Sequence, residues 1–221
     1  AALSDLAIDA LLTEIKPGQT EHELADIVEH SYVPHGAKSG IHFFGVTSMA
    51  DPHLYVPAQM TSNRPVAKGD IVFTEITASF WDYSGQVLRS ISVECDPTPV
   101  YQDLHDTAMA AFDAICAVAK PGNRPEDLIA AGQLIERDGF TICDDLIHGY
   151  GGGYFPPVLG IPSRRKEPAP DLILEAGMMM VVQPNVITVD KTAGVQTGEC
   201  IVVTEQGGVS LHRAPKGLLR V

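Results

Sequence analysis

Apolar residues recur at helical spacing through the opening stretch AALSDLAIDALL, with acidic residues set among them, and the pattern stops at Lys16-Pro17-Gly18. An amphipathic helix is predicted there, ended by a proline that cannot continue it and capped by a glycine. A second helix follows, opened by the capping box Thr20-x-x-Glu23. Farther on, Ile71–Phe80 and Val87–Val93 are dense in apolar and β-branched residues and read as strands. From residue 114 the same series of events begins again. A helix stops at Lys120-Pro121-Gly122, a second starts with Pro125 near its first position, and strands are predicted over Met178–Val189 and Cys200–Val203.

The recurrence extends to residue types. Ala10-Leu11-Leu12 before Lys-Pro-Gly returns as Ala114-Ile115-Cys116 at an offset of 104, and Leu24 meets Leu128 at the same offset. Ile41-His42-x-x-Gly45 returns at 147–151, offset 106, and residues 67–75 line up with 175–183, offset 108. Three matches in chain order imply two similar halves, roughly 1–97 and 98–221, within a single domain over 1–221. Helix, helix, strands, twice over, implies an α+β fold in which helices back one curved antiparallel sheet, with a cleft along a pseudo-twofold axis. That symmetry relates His148 to His42 and Gln183 to Glu75, and polar side chains paired about such an axis mark the expected pocket.

Composition narrows the function. A net charge of −13 excludes partners that need phosphates neutralised, so neither nucleic acid nor an anionic membrane is expected. The four cysteines (Cys95, Cys116, Cys143, Cys200) form no C-x-x-C pair and fit reduced thiols in a cytoplasmic protein. The chain opens without Met inside a helical pattern, as a processed product would. In IHGYGGGYFPP (147–157) the glycines leave the backbone around His148 open to a ligand, while no dinucleotide or phosphate-loop pattern is present. Trp81 and Tyr83 are expected to pack in the core or line a pocket, with packing preferred, and Met178-Met179-Met180 to fill a strand core. Ser163-Arg164-Arg165-Lys166 reads as a solvated basic loop, and His22, His30, His35, His105 and His212 as surface residues.

The motifs Lys16–Leu24, Pro52-His53, Gly69–Glu75, Arg89, His148–Gly151, Glu175–Met178, Gln183-Pro184 and Ile201–Gly207 occur in the order found in the pita-bread family of methionine aminopeptidase, aminopeptidase P, prolidase and creatinase, which the chain resembles nearly end to end. The resemblance implies the pita-bread fold and the catalytic domain alone, without the N-terminal domain of larger members. It also implies a homodimer. In the peptidases of that family two Asp, a His and two Glu hold two divalent ions; the matching positions here are Glu75, Gln86, His148, Gln183 and Gly198. Four carboxylates have become one, which leaves too little negative charge for two hard cations. No cofactor is therefore expected. The fallback is a single divalent ion held by Glu75, His148 and Glu199, although on a regular strand Glu199 would point away from the other two.

Three functions follow. The first is a metal-independent hydrolase that cleaves a C–N bond, amide, amidino or peptide-like, of a small amino-acid-like substrate or short peptide. Creatinase implies this chemistry for the fold, and His53 matches the region of its proton-shuttling histidine. Creatinase's substrate-binding glutamates fall at Leu88 and Gln183, so creatine itself is not the expected substrate. In this account His53, His148 and Glu75 are catalytic, and His42, Tyr83, Gln86, Arg89, Tyr150, Phe155 and Gln183 bind substrate. The second function is an inactive pita-bread module binding a peptide or protein. The third is an aminopeptidase P or prolidase type of peptidase with one residual ion.

Overall fold

The computed structural model describes residues 1–164 and 168–221; Arg165 and Lys166 of the basic loop lie outside the described residues. In the first half α1 (Ala2–Glu14) ends before Pro17, and the Gly18 N–H donates to the Val66 carbonyl at 2.7 Å. Helix α2 (Glu21–Tyr32) begins with the expected capping box: the Thr20 N–H donates to Glu23 Oε2 at 2.7 Å, and the Glu23 N–H donates back to Thr20 Oγ1. Strands β1 (Lys38–Ser48), β2 (Asp70–Phe80) and β3 (Tyr83–Ser92) follow. The second half repeats the plan with α3 (Pro99–Val118), α4 (Pro125–Gly132) and a short α5 (Leu134–Arg137). Its strands are β4 (Thr141–Ile142), β5 (Ile147–Tyr150), β6 (Tyr154–Leu159), β7 (Met179–Val182), β8 (Val186–Ile187), β9 (Gly198–Thr204), β10 (Gly207–Ser210) and β11 (Leu219–Arg220). Here the Gly122 N–H donates to the Leu174 carbonyl at 2.9 Å, the counterpart of the Gly18–Val66 bond.

Among the described residues the main sheet runs β1-β2-β3-β9-β7-β5-β6, with β10 paired to β9 and β11 parallel to β3; β4 and β8 form a separate pair. The order is mirrored about the β3–β9 contact, so β2 corresponds to β7 and β1 to β5. One face of β1–β3 carries Phe44, Val46, Val72, Ile76, Val87 and Ile91, which pack with Ala7, Ile8, Leu11, Leu24 and Val28 of the first two helices. The second half buries Leu104, Ala108, Phe112, Ile115 and Leu128 with Met180, Val182, Ile201 and Val203 in the same way. These apolar faces hold the helices to the convex side. Because strand side chains alternate, every second residue is left on the concave side. There Leu88, Tyr150, Val181 and Cys200 form a small floor of their own.

The structure differs from the sequence expectation in three places. Strand β1 and the β5–β6 hairpin were not foreseen, because glycines and polar residues interrupt their apolar pattern. The run Met178–Val189 is two strands rather than one: Pro184 has no N–H for the ladder, and the chain folds back so that the Asn185 N–H donates to the Gln183 carbonyl. His105 and His212 are buried, at 4 % and 8 % exposure, not on the surface. The methionines do pack as expected, Met180 in the core and Met178 against it.

Candidate active site

Pairing register decides which polar side chains reach the concave floor. Glu75 on β2 lies opposite Leu88 on β3, Leu88 lies opposite Gly198 on β9, and two residues along the same face Thr77 lies opposite Gln86. From the other side, His148 on β5 lies opposite Val181, which lies opposite Cys200. Gln183 follows Val181 by two residues and keeps its orientation. The cleft therefore gathers Glu75, Gln86, His148, Gln183 and Tyr150.

A chain of amides joins them. Gln86 Nε2 donates to Glu75 Oε1 at 3.0 Å and to Gln183 Oε1 at 2.9 Å, and Gln183 Nε2 donates to Asp145 Oδ2 at 3.3 Å. Asp145 Oδ1 accepts from the Tyr154 hydroxyl at 3.2 Å, and the Tyr154 ring stacks on His148 with centroids 4.2 Å apart. The carbonyl of Gly149 can only accept, so its 3.1 Å contact places a proton on His148 Nδ1 and leaves Nε2 as the basic nitrogen. Burial holds the His148 imidazole below its usual pKa, offset in part by the Gly149 carbonyl and the Asp145 charge. Burial, followed by the charges of Asp144 and Asp145, pushes Glu75 up to about 8. Desolvation and the neighbouring Asp145 push Asp144 up to about 7, although its side chain still reaches solvent.

Two hollows adjoin this constellation. One of about 290 Å³ lies over Thr77 and Tyr150 and is walled by Ser84, Gly152 and Tyr154. The other, about 830 Å³, opens beyond Asp144 and Asp145 against Pro156, Pro157 and Val158. Gly149 makes room for this wall, since a Cβ there would stand 2.4 Å from the Pro156 carbonyl oxygen.

Several expected site residues lie elsewhere. His42 faces the helices: it lies opposite Ile76, shares a 2.8 Å hydrogen bond with the Tyr32 hydroxyl, and burial lowers it to about 4. Its proposed symmetry with His148 fails on register. Val181, opposite His148, corresponds to Phe73 at the offset of 108, and Phe73 lies opposite Gly45. Arg89 also faces the helices, where its guanidinium pairs with Glu199 and its Nε donates to the Pro215 carbonyl. Glu199 is engaged there with Lys216 as well, at 3.0 Å, so neither Arg89 nor Glu199 is available to the cleft. His53 is anchored to Thr47, whose Oγ1 bonds both its Nδ1 and its backbone N–H at 2.9 Å. Thr47 lies opposite Ile71, four residues from Glu75, which is about 13 Å along the strand. Trp81 and Tyr83 are not core residues. They stand 84 % and 78 % exposed at the β2–β3 turn, and with Phe155 at 49 % they form an aromatic rim. Asp144, Asp145 and Tyr154 were missed. The available signal was an acidic pair placed immediately before the apolar turn into His148.

The donor set does not suit a pair of hard cations. The NH₂ group of Gln86 stands between the oxygens of Glu75 and Gln183 and donates to both, where a cation would have to accept from them. Gly198 has φ +142, and a Cβ there would meet the Val182 carbonyl oxygen at 2.2 Å, so that position has no room for a ligand. For the single-ion fallback Glu199 is not at hand, since it pairs with Arg89 and Lys216 on the helix-facing side, which leaves Glu75 and His148 of the expected set. Among the described residues no three His, Cys, Asp or Glu side chains converge to hold an ion.

The family model described as metallopeptidase family M24 matches residues 1–205. The chain is similar to an Xaa-Pro dipeptidase of Pyrococcus furiosus, 25 % identical over 98 % of this chain and 60 % of the relative. It is also similar to a probable dipeptidase PepE of Mycobacterium tuberculosis, 28 % identical over 93 % of this chain and 53 % of the relative. Thus the chain spans about 60 % or less of the length of these curated relatives. Among solved structures, dipeptidase PepE from Mycobacterium ulcerans superposes with a TM-score of 0.85, at 24 % identity over 100 % of this chain and 57 % of that one. Methionine aminopeptidase from Rickettsia prowazekii superposes at 0.78, with 22 % identity over 94 % of this chain and 92 % of that one. Both show the pita-bread fold.

Proposed function

The chain belongs to metallopeptidase family M24, and from that premise we propose that its cleft hydrolyses a C–N bond of a small peptide-like or amide substrate without a metal pair. The amide bridge from Glu75 through Gln86 to Gln183 is the observation that carries this reading. It replaces the charge-rich surroundings of two ions with a neutral, hydrogen-bonded floor. What remains is proton chemistry. Two groups whose environments push their pKa values in opposite directions suit acid and base roles. His148, held neutral, takes a proton from water at Nε2. The water oxygen bonds to the carbonyl or amidino carbon, and the C–N bond breaks. The departing nitrogen takes a proton from the carboxyl of Glu75, and the imidazolium returns its proton to the resulting carboxylate through solvent. The hollow beyond Asp145 admits the substrate, with the aromatic rim at Tyr83 and Phe155 beside the cleft mouth. His53 reaches the distal part of the substrate rather than the scissile bond.

Elemental analysis and a substrate panel test this together. The protein is expected to contain well below one equivalent of Zn, Mn, Fe or Co per chain and to turn over at least one of a set of small amides, guanidino compounds and Xaa-Pro dipeptides. His148→Ala is expected to lower turnover by roughly 10²- to 10⁴-fold with folding intact. Two equivalents of metal would overturn the metal-free chemistry, and one would favour a mono-metal peptidase. Absence of turnover across the panel would favour a binding module.

A further inference from the structure

Resting on the hydrolase reading, we propose that Asp145 and Tyr154 are positioning residues: a latch and a cover that hold the His148 imidazole in the one orientation in which Nε2 is the base. Neither residue was among the expected site residues, although Tyr154 lies within the stretch 147–157. Tyr154 begins β6, yet its ring lies on His148 of β5 at 4.2 Å with an interplanar angle of 27°. It reaches there because β6 carries two extra residues opposite the His148–Gly149 step: His148 lies opposite Val158, but Gly149 lies opposite Phe155. Pro156 and Pro157 are the residues looped out. A stack opposes rotation of the imidazole about χ2 only while the Tyr154 ring itself stays in place. The Tyr154 hydroxyl holds that cover in place by donating to Asp145 Oδ1 at 3.2 Å.

Asp145 is in turn fixed by Gln183, whose Nε2 donates to the second carboxylate oxygen at 3.3 Å. Gln183 is tied through Gln86 to Glu75 on β2. The cover is therefore latched to the far side of the cleft, not merely to its own hairpin. The edge of Tyr150 closes the remaining side of the ring, with centroids 5.4 Å apart and planes at 68°. The ring meets Tyr154 on one face and Tyr150 edge-on, the Gly149 carbonyl on Nδ1, the Gln183 side chain, and Asp145 as the neighbouring charge. Asp144 and Glu75 are the other titratable groups facing this space. The Nδ1–H tautomer set by the Gly149 carbonyl is the one a free imidazole in water disfavours, so its loss in a latch variant reports loss of the orientation that keeps Nδ1 on that carbonyl.

The test uses the intact chain with ¹⁵N-labelled histidine and two conservative variants, Asp145→Asn and Tyr154→Phe. In the wild type the His148 resonances are expected to show the proton on Nδ1. Tyr154→Phe keeps the stack and loses the latch; Asp145→Asn keeps the shape and loses the charge and one acceptor. Both are expected to move the spectrum toward the Nε2–H form and to lower kcat by on the order of tenfold to a hundredfold, with KM changed less than about twofold. A folded pair of variants that leave the tautomer unchanged would overturn the proposal. The spectrum needs no substrate, so a protein without turnover can still show the latch. Conversely, turnover with an indifferent tautomer sinks the latch alone and leaves the hydrolase reading standing.

Discussion

Under the proposed mechanism, Glu75 is the residue on which the cleft's chemistry and the protein's stability pull in opposite directions. Its side chain is buried, and burial with the nearby Asp144 and Asp145 lifts its pKa from 4.5 to about 8. A carboxyl whose folded value is raised favours folding fully below its unfolded value, and that contribution is lost as pH rises toward the folded one. Wild-type stability should therefore decline between about pH 4.5 and 8, while a neutral isostere is spared the loss. Glu75→Gln is expected to be more stable at neutral pH by on the order of 2 to 3 kcal/mol, visible as several degrees in Tm, and to lose at least about a hundredfold in kcat/KM. If Glu75 is the acid of the proposed mechanism, wild-type kcat/KM should fall above about pH 8, as the carboxyl loses its proton. Thermal melts and a pH–rate profile check both. A variant less stable than wild type would mean that Glu75 is held as an ion.

At the scale of elements, the first helix is fastened to the end of the chain by one buried pair. Asp5 of α1 accepts from His212 Nδ1 at 2.8 Å and from the Arg213 backbone N–H at 2.9 Å, closing the chain over the outer face of the first half. Burial alone would raise Asp5; the hydrogen bonds from His212 and Arg213, with the His212 charge, outweigh it and hold the carboxyl below its usual value. This is the opposite sign to Glu75. The stabilisation is present above the unfolded pKa and disappears as pH falls through the folded one. Asp5→Asn is expected to cost about 2 kcal/mol near neutrality, with the gap to wild type narrowing below about pH 4. Urea titrations at several pH values measure it, and a gap that widens in acid would show that the pair does not act through charge. The mirrored arrangement of elements was legible from the chain because Lys-Pro-Gly turns and capping signals are local. Strand β1 and the β5–β6 hairpin were not, since their hydrogen-bond partners lie on other strands and their glycines break the alternation.

For the whole molecule, the apolar halves are well buried against their helices, while the aromatic rim around the cleft is left in solvent. Trp81 is the only tryptophan, is 84 % exposed, and sits at φ 49 in the two-residue turn with Asp82 at φ 64. Such values are rarely adopted by residues with side chains. A water-exposed indole emits at long wavelength, so the intrinsic fluorescence should be red-shifted already in the folded chain, readily quenched by iodide, and little changed by unfolding. A blue-shifted folded spectrum that reddens on dilution would instead show a second copy covering the rim, as a homodimer would. Among the described residues no helix is long and apolar enough to cross a membrane.

The chain by itself determined the repeat, the helix–helix–strand plan of each half and the family, because each is written in local spacing or residue identity; the expected loss of three of the five metal-ligand positions came with the family resemblance. Only the tertiary structure decided which polar side chains share a face. A single register step sends His42, Arg89 and Glu199 to the helices and keeps Glu75, Gln86 and His148 in the cleft. Nor does local spacing reveal that Tyr154 covers the histidine and bonds Asp145, since a two-residue excess in β6 shifts Tyr154 there and Gln183, at the end of another strand, holds Asp145. Alternation along a strand has a period of two, so one displaced residue anywhere upstream inverts every assignment after it, and the long-range pairing that sets that parity is invisible until the strands have met.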